Sequence, residues 1–262
     1  MAFYERIDGE RFLATEDTRG PWDAGAQHAG PPAALLGRAV ERRAGARPDM
    51  RIARITFDIL RPVPLGVVSV RVRELRLGRS TEVVEAELEP AGAGQPAVVA
   101  RALRVRVAGD GLVPAVAEGP RLPPPGSLAQ SPFYAVPWER GYHTAMEMRF
   151  AEGGFTEPGP GACWMRMRVP LVEGEPVGAL DRVLVAADSG NGISAAVDFG
   201  RYVFVNSDLT VHLHRHPAGE WVGVQARTSV DPAGIGLADS VLHDEKGPLG
   251  RGAQSLFVAP RA

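Results

Sequence analysis

The sequence predicts an α+β protein built from two tandem units, each a central helix wrapped by an antiparallel sheet, and three observations predict it. The alternating run Phe57-Asp58-Ile59-Leu60-Arg61-Pro62-Val63-Pro64-Leu65-Gly66 returns in the second half as Val211-His212-Leu213-His214-Arg215-His216-Pro217-Ala218-Gly219. Upstream of the first lies His28-Ala29-Gly30-Pro31-Pro32-Ala33-Ala34-Leu35, and upstream of the second Asp188-Ser189-Gly190-Asn191-Gly192-Ile193-Ser194-Ala195, both reading as helix openings. Alternating strands follow each copy. A pattern this long, present twice, implies two copies of one supersecondary unit, and one helix with several antiparallel strands per copy is α+β. The units are expected at 1–108 and 138–262, joined by a proline-rich crossover at 109–137.

The elements follow in order. Phe3–Ile7 and Arg11–Thr15 read as a hairpin turning at Asp8-Gly9. A polar, glycine-rich stretch leads to Pro31–Arg43, where Leu35, Leu36, Ala39 and Val40 have helical spacing and the two prolines fall in the first turn, where a missing N–H costs little. Arg51–Arg61, Val67–Leu77, Glu82–Glu89 and Ala97–Val107 alternate as strands, separated by turns at Pro64-Leu65-Gly66, Gly78-Arg79-Ser80 and Ala91-Gly92-Ala93-Gly94. Periodicity stops from Gly109 to Pro137, where Leu122-Pro123-Pro124-Pro125-Gly126 marks a semi-rigid linker. The second unit repeats the order: strands at His143–Phe150 and Cys163–Val169, a helix at Leu180–Val197, then strands at Phe204–His214, Glu220–Ser229, Gly236–Asp244 and Arg251–Val258. The two sheets are expected to join edge to edge, which removes two exposed strand edges.

Composition narrows the function classes. The 262 residues are 45% hydrophobic and 23% charged, as in ordinary globular domains. A net charge of -2 offers no basic footprint for nucleic acid or an anionic membrane. Lys246 is the sole lysine, so nearly every cation is an arginine, which permits a phosphate-bearing ligand without indicating one. Cys163 stands alone in an alternating run and reads as a buried core thiol, not a nucleophile. No apolar run approaches the ~18 residues of a membrane span, and Met1–Glu10 has no signal-peptide core, so the expected location is the cytoplasm. There is no Gly-x-Ser-x-Gly elbow, no P-loop and no dinucleotide glycine motif, and no cofactor is implied.

These strings in combination resemble acyl-CoA thioesterase II-like proteins of the thioesterase-like superfamily, over almost the whole chain. His28–Leu35 with Phe57–Gly66 is similar to the first half of that family. Ala187-Asp188 to Gly192, then Asn206 to Arg215, then Gly252-Ala253-Gln254-Ser255 is similar to the second. The resemblance implies a double hotdog fold and hydrolysis of an acyl-CoA thioester by direct attack of water. It also implies a site made from an Asp at the second helix, a Ser or Thr on the next strand and a Gln on the last strand, together holding the water. Asp188 and Gln254 occupy the first and third positions; the second falls on Asn206, with Thr210 four residues on. In a regular strand 206, 208 and 210 share one face, so either residue can complete the site.

Each candidate has a plainer reading. Asp188 can be a helix N-cap, and Gln254 a polar strand residue between small neighbours. Gly30, Gly190 and Gly192, at the helix openings, are candidates for letting a carbonyl approach backbone N–H groups, where the helix start favours negative charge. His28 occupies in the first copy the place of Asp188 in the second and is a candidate substrate contact. His212, His214 and His216 alternate, but a metal is not expected there for want of a third ligand. Two other classes stay open: a non-catalytic acyl-CoA or acyl-carrier binding protein, and a hotdog hydratase or dehydratase, which uses an Asp–His pair and for which no histidine stands near Asp188 in sequence. The partners expected are an acyl-CoA and a second copy of the chain, as a homodimer or tetramer.

Overall fold

A computed structural model describes residues 1–109, 112, 121–133 and 136–261; part of the predicted linker (110, 111, 113–120, 134 and 135) lies outside the described residues. The strands form one large antiparallel sheet with few helices, a hotdog-type arrangement. The first half supplies β1 (Tyr4–Arg6), β2 (Arg11–Ala14), α1 (Gly30–Arg42), β3 (Met50–Ile59), β4 (Gly66–Leu77), β5 (Thr81–Pro90) and β6 (Val98–Arg106). The second supplies α2 (Tyr142–Ala145), β7 (Met146–Gly154), β8 (Glu157–Met167), α3 (Ala179–Ala187), α4 (Gly190–Ile193), β9 (Tyr202–Asn206), β10 (Asp208–Leu213), β11 (Val222–Val230), β12 (Ile235–Asp244) and β13 (Gly247–Pro260). The sheet order is β1-β2-β4-β5-β6-β3-β10-β13-β12-β11-β8-β7, with β9 on β13. The halves meet where β3 pairs β10, from Asp208 opposite Asp58 to His212 opposite Arg54.

Helix α1 buries Ala33, Ala34, Leu35, Leu36 and Val40. Burial of each leucine is worth about 1.5–3 kcal/mol. Its partner is α3, and two glycines set the approach: a Cβ on Gly30 would stand 2.4 Å from the Val185 carbonyl oxygen, and one on Gly37 would stand 2.4 Å from Leu184 Cδ1. The contacts pair the start of α1 with the end of α3, so the helices run antiparallel. At the far end of α1, Arg43 and Arg104 both reach the buried Glu82 carboxylate, at 2.9 and 2.6 Å, tying the helix to β5 and β6.

Three expectations change. The helix predicted over Leu180–Val197 is two pieces, α3 and α4, separated at Asp188 and Ser189; Gly190-Asn191-Gly192 has poor helix propensity, and past the break the helix runs only from Gly190 to Ile193. The strand predicted over Phe204–His214 divides at Ser207. Asn206 faces Leu256 while Thr210 faces Ala253, so four steps of one strand oppose three of β13. The extra residue is a β-bulge, which reverses the facing of side chains beyond it. The segment from His143 begins as a helical turn, α2, before β7 starts.

Cys163 is fully buried, and burial pushes its thiol up to about 12, as befits a core thiol. Three histidines are held below their ordinary value chiefly by burial: His143, His216 and His243. His243 is 1% exposed and neither ring nitrogen has a partner among the described residues. An unfolded chain takes up protons at these rings first, so their contribution to stability is complete above about pH 6.5 and is lost as pH falls below it. The thermal midpoint is therefore expected to drop between pH 6.5 and 5, and less steeply in His243→Leu; a midpoint flat over that interval would contradict this.

Candidate active site

Asp188 is the C-cap of α3, not the opening residue of a helix, which corrects the N-cap reading. It is 4% exposed. Its carboxylate is gripped from three directions. Asn206 Nδ2 donates to Oδ1 at 2.9 Å, Gln254 Nε2 stands 3.3 Å from the same oxygen, and His28 Nδ1 stands 3.0 Å from Oδ2. A carboxylate has about four lone-pair directions; Asn206 and Gln254 both donate to Oδ1, and among the described residues His28 is the group at Oδ2. Because α1 starts beside the end of α3, its positive end also lies toward this charge.

His28 and Asp188 are thus partners, not equivalent positions of two copies. Sequence distance hid this: the rings and carboxylate meet only because α1 and α3 run antiparallel. The Gly30 N–H donates to His28 Nδ1 at 3.1 Å. Nδ1 has one in-plane site, which the Gly30 N–H and Asp188 Oδ2 both approach; which of them it serves is set by whether a proton sits on Nδ1. The ring is held from behind by Tyr142, stacked at 3.7 Å between centroids and 5° between planes. The Tyr142 hydroxyl donates to the Val185 carbonyl at 2.9 Å and lies 2.9 Å from Ser189 Oγ; burial raises its phenol above the ordinary value. From in front, the His28 backbone N–H is anchored on the Thr18 carbonyl at 2.8 Å.

Gln254 is nearby but committed. Nε2 donates to the Asp188 carbonyl at 3.0 Å, and Oε1 accepts the Asn191 N–H at 3.0 Å. The residue is 1% exposed and does not line the cavity. It is placed to orient Asp188 rather than to touch a water itself. Thr210 lies elsewhere: its hydroxyl is 3.1 Å from Thr56 Oγ1 across the β3–β10 seam. The bulge at Ser207 turns Asn206 toward Asp188 and Thr210 away from it.

The cavity beside these groups has a volume of about 320 Å³ and takes its walls from both halves. Polar residues His28, Asp188, Asn191 and Asn206 lie on one side, and Trp22, Ile59, Phe133, Phe155 and Phe199 supply apolar surface. Gly192 is on the wall with open space where a Cβ would be. Gly30 and Gly190 are not; an added Cβ at Gly190 would meet Ser240 Oγ at 2.7 Å and Gln254 Oε1 at 2.9 Å. Both are glycine so that backbone can pack, not so that a ligand can approach. The helix starts offer little to an oxyanion: Pro31 and Pro32 have no N–H, the Gly30 N–H faces His28, and the Asn191 and Gly192 N–H groups go to Gln254 Oε1 and the Ser189 carbonyl. Sequence reasoning passed over Tyr142 and Asn191; Asn191 sits inside the string that flagged Asp188, whereas nothing local marks Tyr142.

His212 and His214 are exposed on the outer side, and His216 Nε2 lies 3.3 Å from the Ile52 carbonyl. Among the described residues, no group of three or more His, Cys, Asp or Glu is gathered as a metal centre would require. No helix among them is long and apolar enough to cross a membrane.

Comparison with known proteins agrees with the fold. Residues 18–105 match the acyl-CoA thioesterase N-terminal domain and residues 118–258 the acyl-CoA thioesterase C-terminal domain. Among solved structures, the chain is similar to a conserved protein of unknown function with a hot dog fold from Alicyclobacillus acidocaldarius, at 15% identity and TM-score 0.76, covering 98% of this chain and 96% of that one. It is similar to the tesB protein of Mycobacterium avium subs paratuberculosis, at 18% identity and TM-score 0.70, covering 98% and 96%. It is also similar to the acyl-CoA thioesterase II TesB2 of Mycobacterium marinum, at 13% identity and TM-score 0.67, covering 99% and 95%. At these identities the likeness is one of fold. No curated protein sequence matches the chain.

Proposed function

The chain belongs to the acyl-CoA thioesterase family, and from that premise we propose that it hydrolyses an acyl-CoA thioester by direct attack of water at Asp188. The observation that carries this is the Asp188 carboxylate on the wall of a largely apolar cavity, held by the Asn206 amide at 2.9 Å. A water would donate one hydrogen to Oδ2 and the other to Asn206 Oδ1, leaving its lone pair for the thioester carbonyl carbon. The water oxygen bonds to that carbon, the carbon–sulfur bond breaks, and the proton passes through Asp188 to the departing thiolate. The products are the free acid and the CoA thiol. Gln254 and Asn206 fix the carboxylate, which is the kind of orientation that makes acid–base catalysis effective.

The same reading takes 1–108 and 138–262 as two hotdog units in tandem, each with its helix against the sheet, and 109–137 as the crossover. The acyl-CoA lies between the halves, and the outer sheet faces pair chains into a homodimer or tetramer. No cofactor takes part.

A second reading is favoured by one distance. The His28–Asp188 contact of 3.0 Å supplies the acid–base pair that a hydratase or dehydratase needs, which the sequence alone did not offer. The two readings separate in one experiment. Purified protein is incubated with saturated acyl-CoAs and with a 2-enoyl-CoA, following thiol release and loss of the enoyl absorbance. Thiol release from saturated substrates is expected. Loss of enoyl absorbance without thiol would establish the second reading, and neither signal would leave a binding protein.

A further inference from the structure

A second cavity, of about 300 Å³, adjoins the catalytic one. It is lined by Phe155, Thr156, Pro158, Ala195, Val197, Asp198 and Phe199. Among the described residues, Phe155 and Phe199 alone line both cavities. The two rings therefore stand between them.

Each ring is braced from its own side. Phe155 is 7% exposed, packed 4.4 Å from Phe133 and edge-on to Phe150 at 4.9 Å. Phe199 stacks on Trp22 at 5.2 Å and lies 4.8 Å from Phe204. Bracing of this kind holds a ring in one rotamer and makes the wall stiff. The catalytic cavity, near the lower end of the range of ligand sites at about 300–1,000 Å³, is then closed at a fixed depth. The space beyond is largely apolar, with Pro158, Ala195 and Val197 along it.

We infer that Phe155 and Phe199 form an aromatic partition that limits the acyl group to short or single-ring acids, and that opening it admits a longer chain into the second cavity. This rests on the thioesterase reading above for the identity of the ligand. It deepens that reading by naming the residues that set its substrate class. Removing either ring would roughly double the continuous space available to the acyl group.

The test compares wild type with Phe155→Ala, Phe199→Ala and the milder Phe155→Leu, each first shown to unfold cooperatively. The quantity read is the ratio of kcat/KM for dodecanoyl-CoA to that for butanoyl-CoA. Wild type should favour butanoyl-CoA or benzoyl-CoA. In at least one folded variant the ratio should rise about 10-fold or more, the scale on which one or two methylenes in a pocket discriminate. The same comparison is made for binding, by calorimetry with non-hydrolysable dodecyl and butyl CoA thioethers. If no protein releases thiol but the affinity ratio shifts in the variants, the hydrolytic reading fails and the partition stands. If thiol is released and both ratios stay constant in every folded variant, or wild type already prefers dodecanoyl-CoA, the partition is wrong.

Discussion

Asp188→Asn is expected to lower thioester hydrolysis by about 10²-fold or more, the scale of a positioned acid–base group, while the thermal midpoint moves little. The geometry explains both halves of that result. An asparagine oxygen still accepts from Asn206 and Gln254, and its NH₂ group can donate to His28 Nδ1, the nitrogen that accepts the Gly30 N–H. Every buried partner keeps a hydrogen bond, so folding is spared. The amide cannot take a proton from water, so the reaction is not. Steady-state kinetics with a thiol reagent, beside a melting curve, checks both. Unchanged turnover in a folded Asp188→Asn protein would leave Asp188 a structural residue.

Glu82→Leu is expected to have the largest effect on stability. Glu82 is 1% exposed and joins Arg104, itself 3% exposed, to Arg43 at the end of α1. Arg104 Nη2 keeps two carbonyls, of Arg47 and Met50, but its charge loses its counter-ion in a buried place, and Arg43 is left with Glu74 at 3.0 Å. Breaking one member of such a cluster costs about 3–5 kcal/mol, which for a chain of this size is a fall of about 10 °C in the thermal midpoint. A fall smaller than about 2 °C would mean that water reaches the cluster and screens it.

Much of the fold was legible because periodicity is local. The alternations at Arg51–Arg61, Val67–Leu77, Glu82–Glu89 and Ala97–Val107 became β3 to β6 with ends displaced by a residue or two, and Pro31–Arg43 became α1 displaced by one. The edge-to-edge join of the sheets followed from the repeated unit and is made by β3 and β10. What was not legible is what depends on a single inserted residue or on tertiary approach. The bulge at Ser207 sends Asn206 and Thr210 to different sides, and nothing in Asn206-Ser207-Asp208 announces it. The break after Ala187 put Asp188 at the end of a helix instead of a start, although Gly190-Asn191-Gly192 carried a signal for it. The repeat itself misled in one respect: aligning His28 with Asp188 made them counterparts, whereas antiparallel packing of α1 on α3 makes them neighbours. Gln254 and Asp188 come together from positions 66 residues apart, and only the family resemblance joined them.

The central claim, that water held at Asp188 attacks the thioester directly, is tested by one single-turnover reaction. Enzyme in excess over butanoyl-CoA is mixed in ¹⁸O-labelled water, and the acid and the protein are examined by mass spectrometry. The account predicts one solvent oxygen in the released butanoate and none in the protein. Unlabelled butanoate with the label on a peptide containing Asp188 would mean that the carboxylate itself attacks, and the direct-water account would be contradicted.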